Sequence, residues 1–295
     1  YDISDFGARA DAYVEVALGH SRTLPFDKRW RVGATLKFLI GAGAIDAHLD
    51  KADLTLGQDA WHAITNARIN ASLKGLSFTN SFSDVTRRYY VDGAEFDSDD
   101  LGIGGFGAAI DLGATFRLNK DWCFSAALSD LGFINWSNNI EASTDGDREV
   151  ITSDYLFSTN KDADNSFSNE WRRLRDGLTE LYQLNDHGDL GSRTRMIGAT
   201  LSLAAQYNLP VYRNVSFGLL STTRFMGDFT WSEARLSANY SYGVIDLGVN
   251  GVYGTYGLGF GWIANVNAPG FNLYLGMDHT IGRLAKQGIP LSSNA

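Results

Sequence analysis

The stretch Phe106-Gly107-Ala108-Ala109-Ile110-Asp111-Leu112-Gly113-Ala114-Thr115-Phe116-Arg117-Leu118 decides the fold. Its even positions are apolar throughout, whereas Gly107, Ala109, Asp111, Gly113, Thr115 and Arg117 are small or polar. Side chains on a strand point to opposite faces with period two, so the stretch predicts a strand with one greasy and one polar face. The pattern recurs where Trp30, Val32, Ala34, Leu36, Phe38 and Ile40 alternate with Arg31, Gly33, Thr35, Lys37 and Leu39. It returns from Ile197 to Leu209, and again where Tyr256, Leu258, Phe260 and Trp262 alternate with Gly257, Gly259 and Gly261.

Length separates a membrane wall from a soluble sheet. Soluble strands cluster near about 5–6 residues, whereas a tilted membrane-crossing strand needs about 9–11. Strands are predicted near 9–20, 30–41, 45–56, 61–73, 105–118, 121–134, 195–209, 213–225, 230–242, 245–251, 255–265 and 271–277. The expected fold is therefore all-β: an antiparallel transmembrane β-barrel with about 12 strands visible and one loop helix. The competing reading is a large soluble β-sandwich or a lipocalin-like barrel.

Composition agrees with a sheet. There are 32 glycines against 4 prolines, and 13% of residues are aromatic. No window reaches the run of about 18 apolar residues that a membrane helix needs; the best, Phe38 to Ile45, is short and half glycine and alanine. The net charge of −9 argues against nucleic acid, whose phosphates call for clustered Lys and Arg. Cys123 is the one cysteine, so no internal disulfide forms.

Trp30, Trp61, Trp122, Tyr207, Tyr212, Tyr240, Tyr242 and Trp262 fall near predicted strand ends, where interfacial girdles sit. Short connections near 21–29, 57–60, 119–120, 210–212, 243–244 and 266–270 are expected on one side of the membrane. The other side takes two tight turns and the insertions 74–104 and 137–194. The second insertion carries a helix expected near 168–184, with Trp171, Leu174, Leu178 and Leu181 on one stripe. That helix serves as a lid, a plug or a partner handle, or else simply packs its apolar stripe on its own loop. A parity break at Asp50 and Lys51, where apolar positions switch from odd to even, marks a β-bulge or the point where the strand leaves the membrane.

Motifs for chemistry are weak. Gly102-Ile103-Gly104-Gly105-Phe106-Gly107 matches the dinucleotide-binding pattern in letters, but an acidic loop precedes it and a strand follows it. The five histidines have no metal spacing. The acidic stretch Glu95, Asp97, Asp99 and Asp100 lacks an EF-hand's ligand spacing. No G-x-S-x-G elbow is present, so no enzyme is expected, although a spatial Ser-His-Asp set is invisible to spacing. No catalytic residue, cofactor or metal is assigned. The candidate functional residues are the charged ones on the non-lipid parity: Arg31, Lys37, Arg68, Asp111, Arg117, Glu233 and Arg235. A charge facing lipid costs about 2–4 kcal/mol near the midplane, so these should line a lumen, either along a solute path or paired as filler.

Ile110 to Leu118, Trp122 to Ser129, Leu131 to Trp136, and Asn272 to Asp278 leading to Lys286-Gln287-Gly288-Ile289-Pro290-Leu291 carry a family resemblance. Together they resemble an uncharacterised family of Bacteroidota outer-membrane barrels with a domain of unknown function. That family looks like a distant cousin of the long-chain fatty-acid transporter FadL and the type IX secretion barrel PorV. The resemblance runs from about Tyr13 onward and rests on strand-and-turn phrases, which speak for architecture more than activity. It implies a single barrel domain, 1–295, truncated at both ends and of about 14 strands when complete, in the bacterial outer membrane. It also implies outer-membrane lipid as a partner and transport of small or hydrophobic solutes. The alternative is a non-transporting scaffold that docks secretion or surface-protein partners through its long loops. An outer-membrane lipase or protease is the third reading.

Overall fold

A computed structural model describes residues 1–281 apart from 3, 5, 58, 59, 85, 153, 154, 157 and 160–162, with the side chains of 278–281 outside that description. The stretch Lys286 to Leu291, part of the family resemblance, lies outside the described residues. The fold is all-β with one helix. Its strands are β1 (Phe6–Thr23), β2 (Trp30–Leu56), β3 (Trp61–Leu73), β4 (Leu76–Ser83), β5 (Arg88–Phe96), β6 (Gly105–Arg117), β7 (Trp122–Trp136), β8 (Asn139–Ser143) and β9 (Arg148–Ile151). The helix α1 (Phe167–Glu180) follows. Then come β10 (Asn185–Asp189), β11 (Arg193–Met196), β12 (Ala199–Asn208), β13 (Val215–Phe225), β14 (Trp231–Tyr242), β15 (Ile245–Gly254), β16 (Gly257–Ala268) and β17 (Phe271–Ile281). Among the described residues no helix is long and apolar enough to cross a membrane.

The chain divides into two compact units, and β1, β2, β6, β7 and β11 contribute residues to both. The first comprises Tyr1–Glu15, Leu39–Gly107 and Ile134–Arg195. Its strands run in the order β10-β8-β3-β2, with β9 also on β3 and the hairpin β4–β5 as a separate pair. It has an ordinary hydrophobic core: Leu39, Ala44, Ala71, Ile134, Trp136, Ile140, Ala142 and Val150 are all buried.

The second unit comprises Val16–Phe38, Ala108–Phe133 and Met196–Ala295. Its antiparallel run is β2-β6-β7-β12-β13-β14-β15-β16-β17, with β1 on β2. Strands β12 to β16 have 10, 11, 12, 10 and 12 residues. The turn segments 24–29, 118–121, 209–214, 243–244 and 269–270 share one end of this sheet, as alternating antiparallel strands require. Among the described residues no ladder joins β1 to β17, so the sheet is not closed on itself.

Several expectations change. The segments 30–41 and 45–56 are one strand of 27 residues rather than two. Gly41-Ala42-Gly43-Ala44 mimics a turn in sequence, yet it stays extended, with Gly43 and Ala44 paired to β3, and Gly41 lies beneath the Trp136 ring. A Cβ at Gly41 would stand 2.4 Å from that ring. Since β2 is continuous, segments 24–29 and 57–60 lie at its opposite ends, and 57–60 leaves the set of connections expected on one side. The insertion 74–104 is mostly the hairpin β4–β5, and 137–194 holds β8 to β11 besides the helix. Trp262 lies mid-strand opposite Val249 and Met277, away from any strand end. The parity break at Asp50 is a bulge: Leu49 faces Ala67 and Lys51 faces Asn66, which leaves Asp50 as the extra residue.

The helix sits near its expected place, but its stripe differs. Ser166 and Glu170 are buried and Leu174, Gly177 and Leu181 are half-buried, whereas Trp171 is 57% exposed and Leu178 also faces solvent. Arg173 donates to Glu170 Oε1 at 2.7 Å, so the buried position is an ion pair rather than an apolar residue.

Candidate functional site

The ladders of the second unit fix which side chains share a face. One row runs Cys123, Gln206, Gly218, Ser237, Asn250 and Gly261; the next on the same face runs Ala204, Leu220, Arg235, Val252 and Gly259. The interleaved row on the other face is Trp122, Tyr207, Phe217, Ala238, Val249, Trp262 and Met277. The following row there contains Phe124, Ala205, Leu219, Leu236 and Phe260. The apolar face is the open one, with Leu236, Leu258 and Leu275 exposed by 63%, 74% and 69%. The polar face is the more sheltered. This reverses the arrangement of the first unit, where apolar side chains are covered.

Aromatic rings gather at the end of this sheet that carries the turns 24–29, 118–121, 209–214 and 243–244. Trp30 lies 4.6 Å from Phe116, Trp122 lies 4.6 Å from Tyr207, and Tyr240 stacks with Tyr242 at 6.5 Å.

On the polar face Lys37 makes the densest contact. Its Nζ lies 2.9 Å from Asp111 Oδ2 and 2.6 Å from Asp130 Oδ1, and the Asp130 amide donates to Asp111 Oδ1 at 2.7 Å. Asp130 has φ of 59°, a left-handed backbone rare outside glycine. Here the outward residues of β7 change from even (Phe124, Ala126) to odd (Leu131, Phe133). Gly132 follows because a Cβ there would fall 2.3 Å from Ala109 Cβ.

Of the seven candidate residues, the structure brings together Lys37 with Asp111, and Glu233 with Arg235 at 3.5 Å. Arg235 also donates to Asn250 Oδ1 at 3.3 Å. Arg68 lies in the first unit, 3.6 Å from Asp50 at the bulge, apart from the others. Arg31 and Arg117 have no ion pair among the described residues. Arg31 lines an open cavity of about 510 Å³ walled mainly by small residues, including Gly19, Gly33, Gly113, Ala127 and Ser129.

The first unit holds a charged cluster that spacing did not single out. Asp46, on β2, accepts from Arg193 and Arg195 at 2.7 Å each, and His48 Nε2 lies 3.8 Å away. Arg195 also reaches Asp11, which pairs with Arg9 at 3.0 Å. Asp46 is buried and Arg195 nearly so, and Arg195 Nε has no hydrogen-bond partner among the described residues. Low dielectric strengthens such pairs and makes a missing partner costly, so this cluster ties β11 to β1 and β2. Its signal was the alternation Arg9-x-Asp11 and Arg193-x-Arg195, which puts each pair on one strand face.

A serine, a histidine and an aspartate do meet in space. Ser143 Oγ and Asp145 Oδ1 both lie 2.9 Å from His187 Nε2. A catalytic triad uses both ring nitrogens, one for the nucleophile and one for the orienting carboxylate. With both groups on Nε2, the imidazole has no second contact among the described residues through which to be oriented, and the arrangement is a hydrogen-bonded strap between β8 and β10. Among the described residues no group of three or more His, Cys, Asp or Glu is placed to hold a metal.

No curated protein matches the sequence. A family model does, over residues 1–278, and its description assigns no activity. The chain belongs to the Family of unknown function (DUF5723).

Proposed function

We propose that the second unit is the lipid-embedded wall of a bacterial outer-membrane β-barrel, and that its polar face passes small or hydrophobic solutes across the membrane. The reversed faces of this sheet carry the reading. Each large apolar side chain left in water forfeits about 1.5–3 kcal/mol of burial. About a dozen on one face would forfeit more than the about 5–15 kcal/mol of a typical domain's stability. Soluble monomers rarely expose apolar patches beyond a few hundred Å². Hydrocarbon removes the penalty, and strands of 10–12 residues fit its thickness. The rings near Trp30, Trp122 and Tyr240 suit the headgroup boundary.

The step from wall to transport rests on side-chain size. Small closed barrels fill their interior with side chains. Here the polar face of β15 and β16 carries Gly248, Gly254, Gly257, Gly259 and Gly261, which fill nothing. The full chain, inserted into liposomes, should release entrapped small solutes or speed uptake of a fluorescent amphiphile. Correctly inserted protein that does neither would contradict transport and leave the wall.

A second reading has its own observation. Phe167, Trp171, Leu178 and Tyr182 form an exposed apolar edge along α1, with the Phe167 and Trp171 rings stacked at 6.4 Å. A scaffold that docks a secretion or surface-protein partner through its long insertion would present such an edge. It predicts inserted protein that conducts nothing.

A further inference from the structure

Between the hairpin β4–β5 and strand β10 lies an open cavity of about 750 Å³, lined by Asn80, Arg88, Tyr89, Asp145, Asn185, Asp186, His187 and Gly188. Its size falls within the about 300–1,000 Å³ usual for ligand sites, but its lining is not the usual apolar one. The lining holds no aliphatic side chain, so neither a lipid nor an apolar solute gains from entering. Formal charges of one arginine against two aspartates leave it slightly acidic, which disfavours anions and nucleic acid. We propose that this cavity binds a saccharide, in a role separate from the transport assigned above and not resting on it.

The lining offers what a hydroxyl-rich ring needs. A hydroxyl donates once and accepts twice, so a pair of neighbouring hydroxyls is best met by a carboxylate beside an amide. Two such pairs stand ready. Asn80 Nδ2 donates to Asp186 Oδ2 at 2.7 Å, and Asn185 Nδ2 donates to Asp145 Oδ2. The Gly188 amide fixes the other Asp186 oxygen at 2.8 Å, and His187 fixes Asp145 at 2.9 Å. Each carboxylate has about four acceptor sites, so both retain capacity towards a ligand. These groups are held before any ligand arrives, which lowers the ordering cost of binding.

Two groups face the cavity uncommitted. The Arg88 side chain and the Tyr89 hydroxyl make no hydrogen bond or ion pair within the described residues. The Tyr89 ring is 68% exposed yet steadied by an edge contact with Phe82, centroids 5.3 Å apart at 66°. An aromatic face of this kind presents negative quadrupole to the weakly positive C–H groups on the flat side of a pyranose. The backbone bond from Val91 N to Leu184 O, 2.8 Å, holds the hairpin against the segment that enters β10 and so keeps both walls together.

The test is a calorimetric titration of the full chain, folded in detergent micelles, with maltoheptaose, cellohexaose, chitohexaose and a mannan. At least one should bind saturably. Tyr89→Ala and Asn80→Ala should each weaken that binding about tenfold, whereas Tyr89→Phe, which keeps the ring, stays within about twofold. Circular dichroism of each variant should match the parent, which separates a lost site from a lost fold. No saturable binding by any of the four, or binding indifferent to Tyr89→Ala in a folded variant, overturns the proposal.

Discussion

Lys37 on β2 reaches across β6 to Asp130 on β7, Nζ to Oδ1 at 2.6 Å, a contact between residues 93 positions apart. The aspartate can be met there because its left-handed backbone turns β7 by one phase. The ion pair and the phase change are thus one feature, and Asp111 completes it from the intervening strand.

Removing the lysine should cost more than removing the whole group. Lys37→Met leaves two carboxylates facing each other without their cation. A fully buried pair broken on one side loses about 3–5 kcal/mol; these aspartates keep about a third of their exposure, so about 1–3 kcal/mol is expected. Lys37→Met with Asp111→Asn and Asp130→Asn should recover most of that. Urea unfolding of the three proteins in the same micelles gives the comparison, and a triple variant no better than Lys37→Met would contradict the pairing.

In the first unit Asp46 is the only carboxylate that touches both Arg193 and Arg195 among the described residues. Asp46→Ala should leave Arg193 without its carboxylate and Arg195 with Asp11 alone, loosening β11 at about 1–3 kcal/mol, since Arg193 is a third exposed. Limited trypsin digestion should then cut the variant at Arg193 or Arg195 well before the parent. Equal resistance would mean that β11 is held by its backbone pairing alone.

Much of this fold was legible because period two survives even without an alignment. The faces of β6, β12 and β16 follow from Phe106, Leu201 and Leu258 with their neighbours. The bulge at Asp50 was visible as a parity break, and the phase change at Asp130 leaves the same mark between Leu128 and Leu131. What periodicity cannot carry is pairing between distant segments. Nothing local in Arg193 or Arg195 points to Asp46, some 147 residues earlier. The helix stripe misled because amphipathicity treats Glu170 as surface, while its pairing with Arg173 lets it be buried. The hairpin β4–β5 was hidden by polar residues on both faces, which blur alternation.

Gly41 gives a sharper stability test. A Cβ there would meet the Trp136 ring at 2.4 Å, and that ring is only 2% exposed and cannot swing away. Gly41→Ala should destabilise by about 1–3 kcal/mol through overpacking. Pairing it with Trp136→Leu should relieve most of the added cost, and the denaturation midpoints of single and double variants decide the matter.

The strap between β8 and β10 should be acid-sensitive. Burial pushes the Asp145 carboxyl up, but the Asn185 amide, His187, Ser143 and Arg148 together hold it below its ordinary 3.8. A depressed folded value contributes stability above the unfolded value and loses it as pH falls through the folded one. Pepsin should therefore nick the 137–194 segment faster as pH drops below about 4. Compared with the parent at each pH, so that pepsin's own pH dependence cancels, the faster nicking of Asp145→Asn should converge on the parent's rate across that window. An unchanged pH dependence in the variant would show that another group governs the strap.

The central claim concerns which face of the second unit meets lipid. Spin labels placed singly at residues 233 to 239 of β14, in protein inserted into bilayers, report collisions with oxygen in lipid and with a nickel chelate in water. The account predicts period two: 234, 236 and 238 favour oxygen, while 233, 235, 237 and 239 favour the chelate. The opposite phase, or no alternation with the chelate reaching every site, would contradict a lipid-facing wall and return a soluble sheet to first place.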